Sequence, residues 1–329
     1  NAGYSNTFGR FNAFYGYQSG YSNSTGTSNL FLGYQSGYNN QNGNFNSFLG
    51  YRAGYSNTSG DKNSFLGSYS GINNNIGNNN TFVGYNSGYM NISGNANNFI
   101  GTGSGYSNTG GSNNIFLGTE TGYLNTTGGY NIFIGYQSGF SNQTGSSNVF
   151  LGYMTGYQNN AGNNVFLGYE SGRLNSSGTT NAFMGYQAGR SNTTGSSNVF
   201  IGNQSGLSNT SGGSNIYIGT SAGYSGSTGG NNIILGYAAG YANNASDNIF
   251  LGNYSGNSNT SGNTNSFIGY QTGRYNTSGF SNVFIGNSSG FSNTTGYSNV
   301  FIGPLTGYHN LAGYYNVFLG LSAGFNNNA

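Results

Sequence analysis

A repeat of 17 residues runs through this chain and constrains its fold more than any other feature. The motif N-x-F-[LI]-G recurs, with its aromatic residue first at Phe14, and the interval is 17 residues except for two intervals of 16, which end at Phe166 and Phe250. When each unit is started at its glycine, from Gly3 onward, nineteen complete units fill the chain. The sequence therefore predicts a single continuous repeat domain over residues 1–329, with no separate caps.

The consensus unit, numbered as positions 1 to 17, is G-Y-S-N-T-T-G-S-S-N-V-F-I-G-Y-Q-S. Position 10 is Asn and position 14 is Gly in all nineteen units, and position 12 is Phe except at Tyr217 and Ile234. Position 4 is Asn except at Gly226. We expect the two 16-residue units to lose their residue between positions 7 and 10. With that alignment, position 7 is Gly except at Ser246. A column that holds one residue type nineteen times indicates one environment repeated nineteen times.

Positions 10 to 15, for example residues 148–153, are short, apolar and bounded by Gly and Asn, which is typical of a strand. A second, weaker strand is predicted over positions 15 to 3, for example residues 153–157, with a turn at N-T-T-G-S-S. Glycine at fixed places in every unit excludes a helix. The predicted fold is all-β, a parallel β-solenoid (β-roll) of about 19 coils of 17 residues, with two short strands per coil stacked at about 4.8 Å.

Inside each coil, position 12 is expected to form a stacked Phe ladder, with the small residues of position 17 opposite it. The asparagines at positions 4 and 10 are expected to form amide ladders, because amides donate and accept along a stack of identical strands. The alternative is that these asparagines only form turns.

Only 3% of the residues are charged, and the net charge is +2. The charges fall at positions 2, 8, 9 and 16, which we therefore expect to face solvent, because burial of an unpaired charge is prohibitive. Position 2 is usually tyrosine, so the charges also predict a surface contact stripe. Its candidate members are Tyr21, Tyr38, Tyr55, Tyr89 and Tyr106.

Positions 11 and 13 point to one side of the strand and position 12 to the other, and both sides are apolar. Strands of this kind are normally buried on both faces, which favours an oligomer or a bundle. The first and last residues fall inside ordinary repeats, so we also expect either a longer chain or copies that stack head to tail.

The composition also argues against catalysis and against binding of metal ions or nucleic acid. The chain has no cysteine, one histidine and four acidic residues, and His309 and the acids form no repeated acid–base pair. We predict that the chain is not an enzyme and binds no cofactor or metal ion. Six basic residues make no cationic groove for nucleic acid, and no apolar run is long enough to span a membrane.

Several position-4 asparagines lie in N-x-S/T sequences, which are glycosylation acceptor patterns. The alternative is that Asn-Thr-Thr-Gly simply makes the turn. A chain with so few charges needs another source of solubility, which a glycan coat would supply. The candidate asparagines are Asn23, Asn57, Asn91, Asn125, Asn142, Asn175, Asn192, Asn209, Asn259, Asn276 and Asn293.

The segments at residues 46–50 (N-S-F-L-G) and 198–202 (N-V-F-I-G) resemble the N-S-V-A-I-G-type repeats of trimeric autotransporter adhesin heads, which are left-handed parallel β-rolls. The chain is also similar to Gly/Asn-rich repeat regions of phage tail fibres and bacterial surface proteins. The resemblance implies an extracellular or cell-surface fibre or adhesin.

Three functions follow as hypotheses. The leading one is a structural subunit or segment of an extracellular filament that self-assembles by solenoid stacking, so that the partner is the chain itself. The second is a surface adhesin or phage tail-fibre shaft that binds glycans or a receptor through the tyrosine stripe. The third is ice binding, although position 5 is Thr in only nine of nineteen units.

Overall fold

The computed structural model describes residues 1–327 and forms two compact units, Asn1–Asn164 and Val165–Ala329. Every regular element in the described residues is a three-residue strand. The first unit holds β1 (Ala13–Tyr15), β2 (Leu30–Leu32), β3 (Ser47–Leu49), β4 (Ser64–Leu66), β5 (Thr81–Val83), β6 (Asn98–Ile100), β7 (Ile115–Leu117), β8 (Ile132–Ile134) and β9 (Val149–Leu151). The second holds β10 (Val165–Leu167), β11 (Ala182–Met184), β12 (Val199–Ile201), β13 (Ile216–Ile218), β14 (Ile233–Leu235), β15 (Ile249–Leu251), β16 (Ser266–Ile268), β17 (Val283–Ile285), β18 (Val300–Ile302) and β19 (Val317–Leu319).

Within each unit every strand pairs in parallel with the next strand along the chain, and equivalent residues lie side by side. Phe48 pairs with Phe65 in the first unit, and Val283 pairs with Val300 in the second. This confirms the predicted all-β parallel solenoid for each unit. Continuity as a single domain over residues 1–329 stays a prediction.

The core of each coil is the position-12 ladder. Phe48 and Phe65 stack with their ring centroids 4.7 Å apart and are almost completely buried. The ring packs against the glycine at position 1 of the following coil, as Phe31 packs against Gly37. A Cβ atom on Gly37 would come within 2.6 Å of the Phe31 ring, so this column cannot accept a larger residue.

The position-4 asparagines form an uninterrupted amide ladder across the coils of Asn40, Asn57 and Asn74. Asn57 Nδ2 donates to Asn40 Oδ1 at 2.7 Å, and Asn74 Nδ2 donates to Asn57 Oδ1 at 2.9 Å. The position-10 asparagines bond differently, because Asn29 Oδ1 accepts the backbone N–H of Asn46 at 2.9 Å. The predicted asparagine ladder is therefore confirmed, and at position 10 it joins the side chain to the backbone.

Both asparagine columns meet at the carbonyl of position 7. The Gly60 carbonyl accepts Asn57 Nδ2 from its own coil at 3.0 Å and Asn46 Nδ2 from the preceding coil at 2.8 Å. All three residues are buried, so these bonds satisfy polar groups that water does not reach.

Within residues 1–327 the second strand predicted over positions 15 to 3 is not formed, and residues 153–157 lie in turns. The reason is the backbone conformation at positions 16 and 1, where Met154 has φ 49° and Gly156 has φ 58°. A strand requires negative φ at each residue, so two left-handed residues this close together end it. Position 9 is also left-handed, as at Lys62 with φ 58°.

The two shorter coils lose their residue earlier than predicted. Asn148 Nδ2 donates to the carbonyl of Ala161 at 2.8 Å, so Ala161, and not Gly162, takes the place of the position-7 glycine. Ala245 takes the same place in the other short coil, where it accepts Asn232 Nδ2 at 2.9 Å. The missing residue thus lies between positions 4 and 7, and the expected place between positions 7 and 10 is wrong. Position 7 supplies a carbonyl to both asparagine columns, so its backbone is kept and the turn before it is shortened.

Three exceptions to the column pattern fall in consecutive coils. Tyr217 replaces the position-12 Phe, and the next coil carries Gly226 at position 4 and Ile234 at position 12. Tyr217 is buried, and burial raises the pKa of its hydroxyl, while the Asn232 side chain lowers it by a smaller amount. The larger position-12 side chain of Tyr217 therefore coincides with the smallest residue at position 4, Gly226, in the coil after it.

Candidate functional site

An exposed apolar face covers the sheet of each unit on the side away from the Phe ladder. It consists of positions 11 and 13, and Leu117 and Ile216 leave 42% and 38% of their surface exposed. No residue at either position is charged, although position 11 includes Ser64 and Asn98. Most parallel sheets are covered on both faces, so a partner is the usual complement of such a surface.

The position-2 tyrosines form a stacked ladder and do not project as separate rings. Tyr21 and Tyr38 lie 5.1 Å apart between ring centroids, as do Tyr38 and Tyr55, and Tyr89 and Tyr106 lie 4.8 Å apart. All five members of the predicted contact stripe are half-buried. Neighbouring rings cover the faces inside the stack, so the continuous ladder presents mainly ring edges and hydroxyl groups to a ligand.

A second tyrosine row, at position 15, is more exposed and was not predicted from the sequence as a surface. Tyr34 and Tyr51 lie 5.2 Å apart between ring centroids, and Tyr85 leaves 52% of its surface exposed. Position 15 is Tyr in ten of the nineteen units, and that recurrence was the available signal.

A surface cleft of about 400 Å³ lies in the first unit where both tyrosine rows are interrupted. Ile72 replaces tyrosine at position 2, Ser68 replaces it at position 15, and Tyr69 stands at position 16. Tyr69 packs edge-on against Tyr51 with ring centroids 5.2 Å apart. Partial desolvation, reinforced by Tyr51, raises the pKa of Tyr69 above its ordinary value. The lining residues are Arg52, Tyr69, Ile72, Tyr85, Asn86, Tyr89 and Tyr106.

A charged cluster lies at the start of the second unit. Glu170 is buried with 8% of its surface exposed, although position 16 was expected to face solvent. Glu170 Oε2 accepts Arg190 Nε at 2.8 Å and Gln187 Nε2 at 3.0 Å, and Arg173 Nε lies 3.6 Å from Oε1. Burial alone would raise the pKa of Glu170, but these hydrogen bonds and positive charges outweigh it, so the pKa is lowered.

The eleven candidate glycosylation asparagines all lie on the buried position-4 column. Their side-chain nitrogens donate inside the protein, as Asn57 Nδ2 does to Asn40 and to Gly60. A glycan on such a nitrogen would replace one of these bonds and has no room in the folded coil. Glycosylation stays a prediction, and an intact mass of 34.3 kDa from the native source would contradict it.

The position-5 threonines, on which ice binding would rest, use their hydroxyl groups within the solenoid. Thr193 Oγ1 donates to the Thr210 carbonyl at 2.9 Å, and Thr277 Oγ1 donates to the Thr294 carbonyl at 3.0 Å.

His309 is exposed and packs edge-on against Tyr308 with ring centroids 4.7 Å apart. Within residues 1–327, none of the secondary structure is a helix of the length and apolarity that crossing a membrane requires.

Comparison with models of protein families, with curated proteins and with solved structures gives no match to this chain.

Proposed function

We propose that this chain is a structural subunit or segment of an extracellular filament that assembles with copies of itself. The observation that carries the proposal is the exposed, uncharged apolar face formed by positions 11 and 13 in each unit. Burial of apolar surface is favourable by about 25 cal/mol per Å², and a row of such residues repeated coil after coil multiplies that gain.

A second copy fits this face better than an unrelated partner does. Both faces would carry the same coil spacing, so side chains of two copies can interdigitate at the same interval, as two sheets do when packed about 10 Å apart. Neither copy brings a charge that would have to be desolvated.

Stacking along the coil axis uses bonds that already join coils. Each coil offers its neighbour backbone groups, an asparagine ladder and an aromatic ladder, as Asn57 and Phe65 do. A coil edge that is left open is a template for the same bonds to another copy. Lateral packing and axial stacking together would produce a bundled filament.

Electron microscopy of the purified chain tests this proposal, with filaments expected for the wild type. The double variant Ile216→Lys/Ile233→Lys places two charges on the sheet face, and we expect it to lose lateral bundling. The control Ser214→Lys/Asn231→Lys adds the same charge in the exposed turns of the same coils and should bundle normally. Dispersed monomers of the wild type, or normal bundling of the sheet-face variant, would contradict the proposal.

The cellular location is part of the same proposal. Antibodies against the chain should label intact cells of the source organism or particles shed from them. Labelling only after lysis would count against an extracellular filament.

A further inference from the structure

The cleft in the first unit has a structural cause in the position-16 row. Side chains of this row lie between the two tyrosine rows: the guanidinium carbon of Arg52 is 5.5 Å from the Tyr51 ring centre and 5.3 Å from the Tyr55 ring centre. They also bond to one another, since Gln35 Nε2 donates to Gln18 Oε1 at 2.8 Å. A long side chain at position 16 therefore fills the space between the rows.

This filling fails at Asn86, which is shorter than the glutamine of the consensus unit. Tyr69, one coil earlier, turns edge-on to Tyr85, with ring centroids 6.1 Å apart and planes 77° apart. Tyr89 follows Ile72 in the position-2 row, so it lacks a tyrosine neighbour on that side. The result is an aromatic recess in place of a closed ladder.

The polar groups of the cleft favour a negatively charged ligand. Arg52 is the one charged residue in the lining. Arg52 Nε donates to Gln35 Oε1 at 2.9 Å. Within residues 1–327, Arg52 forms no ion pair with a carboxylate. The ion pairs there join Glu170 to Arg173 and to Arg190. The terminal nitrogens of Arg52 are suited to bind a carboxylate with two parallel hydrogen bonds.

The rest of the lining suits a sugar ring. A saccharide has an apolar C–H face and a rim of hydroxyl groups, and tyrosine offers an apolar ring with one hydroxyl at its end. Four tyrosines, Tyr69, Tyr85, Tyr89 and Tyr106, line the cleft together with the amide of Asn86. A volume of about 400 Å³ is at the small end of ligand pockets and accommodates one or two sugar rings.

We propose that this cleft binds an acidic saccharide, with the carboxylate at Arg52 and the sugar ring against Tyr85 and Tyr89. The site lies on the tyrosine rows and not on the sheet face, so it goes beyond the proposed filament role and gives the filament a place to hold a charged glycan.

Two substitutions to glutamine, the consensus residue at position 16, test the site. Asn86→Gln is expected to close the recess, because glutamine fills this row at Gln18 and Gln35. Arg52→Gln removes the cation and leaves the recess. The controls are Ser221→Gln, at position 16 in the second unit, and Arg10→Gln, which removes a charge from an exposed turn.

Binding is measured by saturation-transfer NMR and titration with D-glucuronate, D-galacturonate and N-acetylneuraminate, against D-glucose, D-galactose and N-acetylmannosamine. We expect at least one acid to bind at least tenfold more tightly than its neutral counterpart. Arg52→Gln should remove that preference, Asn86→Gln should abolish binding, and both controls should bind as the wild type does. Equal binding of acids and neutral sugars, no binding of any acid, or unchanged binding by Asn86→Gln would overturn the proposal. Filament formation is scored in the same samples, so failure of the saccharide site is distinguished from failure of the filament proposal.

Discussion

The Oδ1 atom of Asn160 accepts the backbone N–H of Gln143 at 2.9 Å, where a longer coil would place a peptide carbonyl. It also accepts the N–H of Thr144 at 2.9 Å. In full-length coils one carbonyl at position 5 receives both of these bonds, as the Gln41 carbonyl does from Ser24 and Thr25. The side chain of Asn160 therefore stands in for the peptide group of the missing residue.

The other short coil repeats this arrangement. Asn244 Oδ1 accepts the N–H of Ser227 at 2.9 Å and that of Thr228 at 3.0 Å. An asparagine followed by alanine thus lets a coil of 16 residues continue the ladders of its 17-residue neighbours.

Asn160→Ala should lower the free energy of unfolding by about 1 kcal/mol, since two exposed N–H groups lose a common acceptor and turn to water. Asn160→Asp should stay close to the wild type, because a carboxylate accepts the same two bonds. Urea denaturation measures both, with Gln158→Ala as a control in the same coil. If Asn160→Ala were as stable as the control, the side chain would not be completing the coil.

We expect tyrosine at position 12 to be tolerated at Tyr217, where the next coil carries Gly226, and to be destabilising in other coils. Tyr217→Phe is expected to change stability by less than about 1 kcal/mol, because Asn232 Nδ2 keeps its bonds to Asn215 Oδ1 and to the Ala245 carbonyl. Phe183→Tyr is expected to cost about 1–3 kcal/mol, because the coil after it carries Asn192 where the coil after Tyr217 carries Gly226. Thermal unfolding compares the two variants. A neutral Phe183→Tyr would mean that the hydroxyl needs no vacated asparagine position.

The buried asparagine ladder should be sensitive to loss of a single amide. Asn57→Ala removes the partners of Asn40 Oδ1 and Asn74 Nδ2 inside the coil and leaves a cavity, so we expect a loss of about 2–4 kcal/mol. Ser59→Ala, at an exposed turn position of the same coil, is the control and should change stability by less than about 0.5 kcal/mol. Similar denaturation midpoints for both variants would argue against a stabilising ladder.

Glu170 should make stability depend on acidity. Its pKa is lowered in the folded protein, so its contribution is present above the unfolded pKa of about 4.3 and is lost as the pH falls through the lower folded value. Between about pH 5 and pH 3 the wild type should therefore lose more stability than Glu170→Gln. Unfolding curves at several pH values measure the difference, and parallel pH profiles would contradict the assigned ion pairs.

The repeat period was sufficient to predict the parallel solenoid, the Phe ladder and the asparagine ladder. Each of these depends on residues that are nearly constant within their column, so the type of residue indicates its surroundings directly. Position 16 was harder, because Gln18, Arg52 and Glu120 all adopt positive φ although none of them favours it. The second strand was predicted for that reason, and the structure has turns instead.

The surfaces were predictable only in part. The sequence placed the apolar residues at positions 11 and 13 on one side, and this is the exposed sheet face. It could not show that stacking covers the faces of Tyr21 and Tyr38, because ring orientation depends on coil-to-coil distance. The cleft could not be predicted from the sequence either. It arises because the consensus residues of positions 15, 2 and 16 are replaced in neighbouring coils, by Ser68, Ile72 and Asn86.

The register of the coils is the central claim, and spin-label distances in the first unit test it most directly. The chain has no cysteine, so labels can be placed at exposed position-11 sites: Ala13 paired in turn with Ser64, Asn98 and Ile132, which lie three, five and seven coils away. A strand spacing of about 4.8 Å predicts distances that rise linearly, to roughly 14, 24 and 34 Å. Distances that are broad, or that do not increase with the number of coils, would contradict the solenoid.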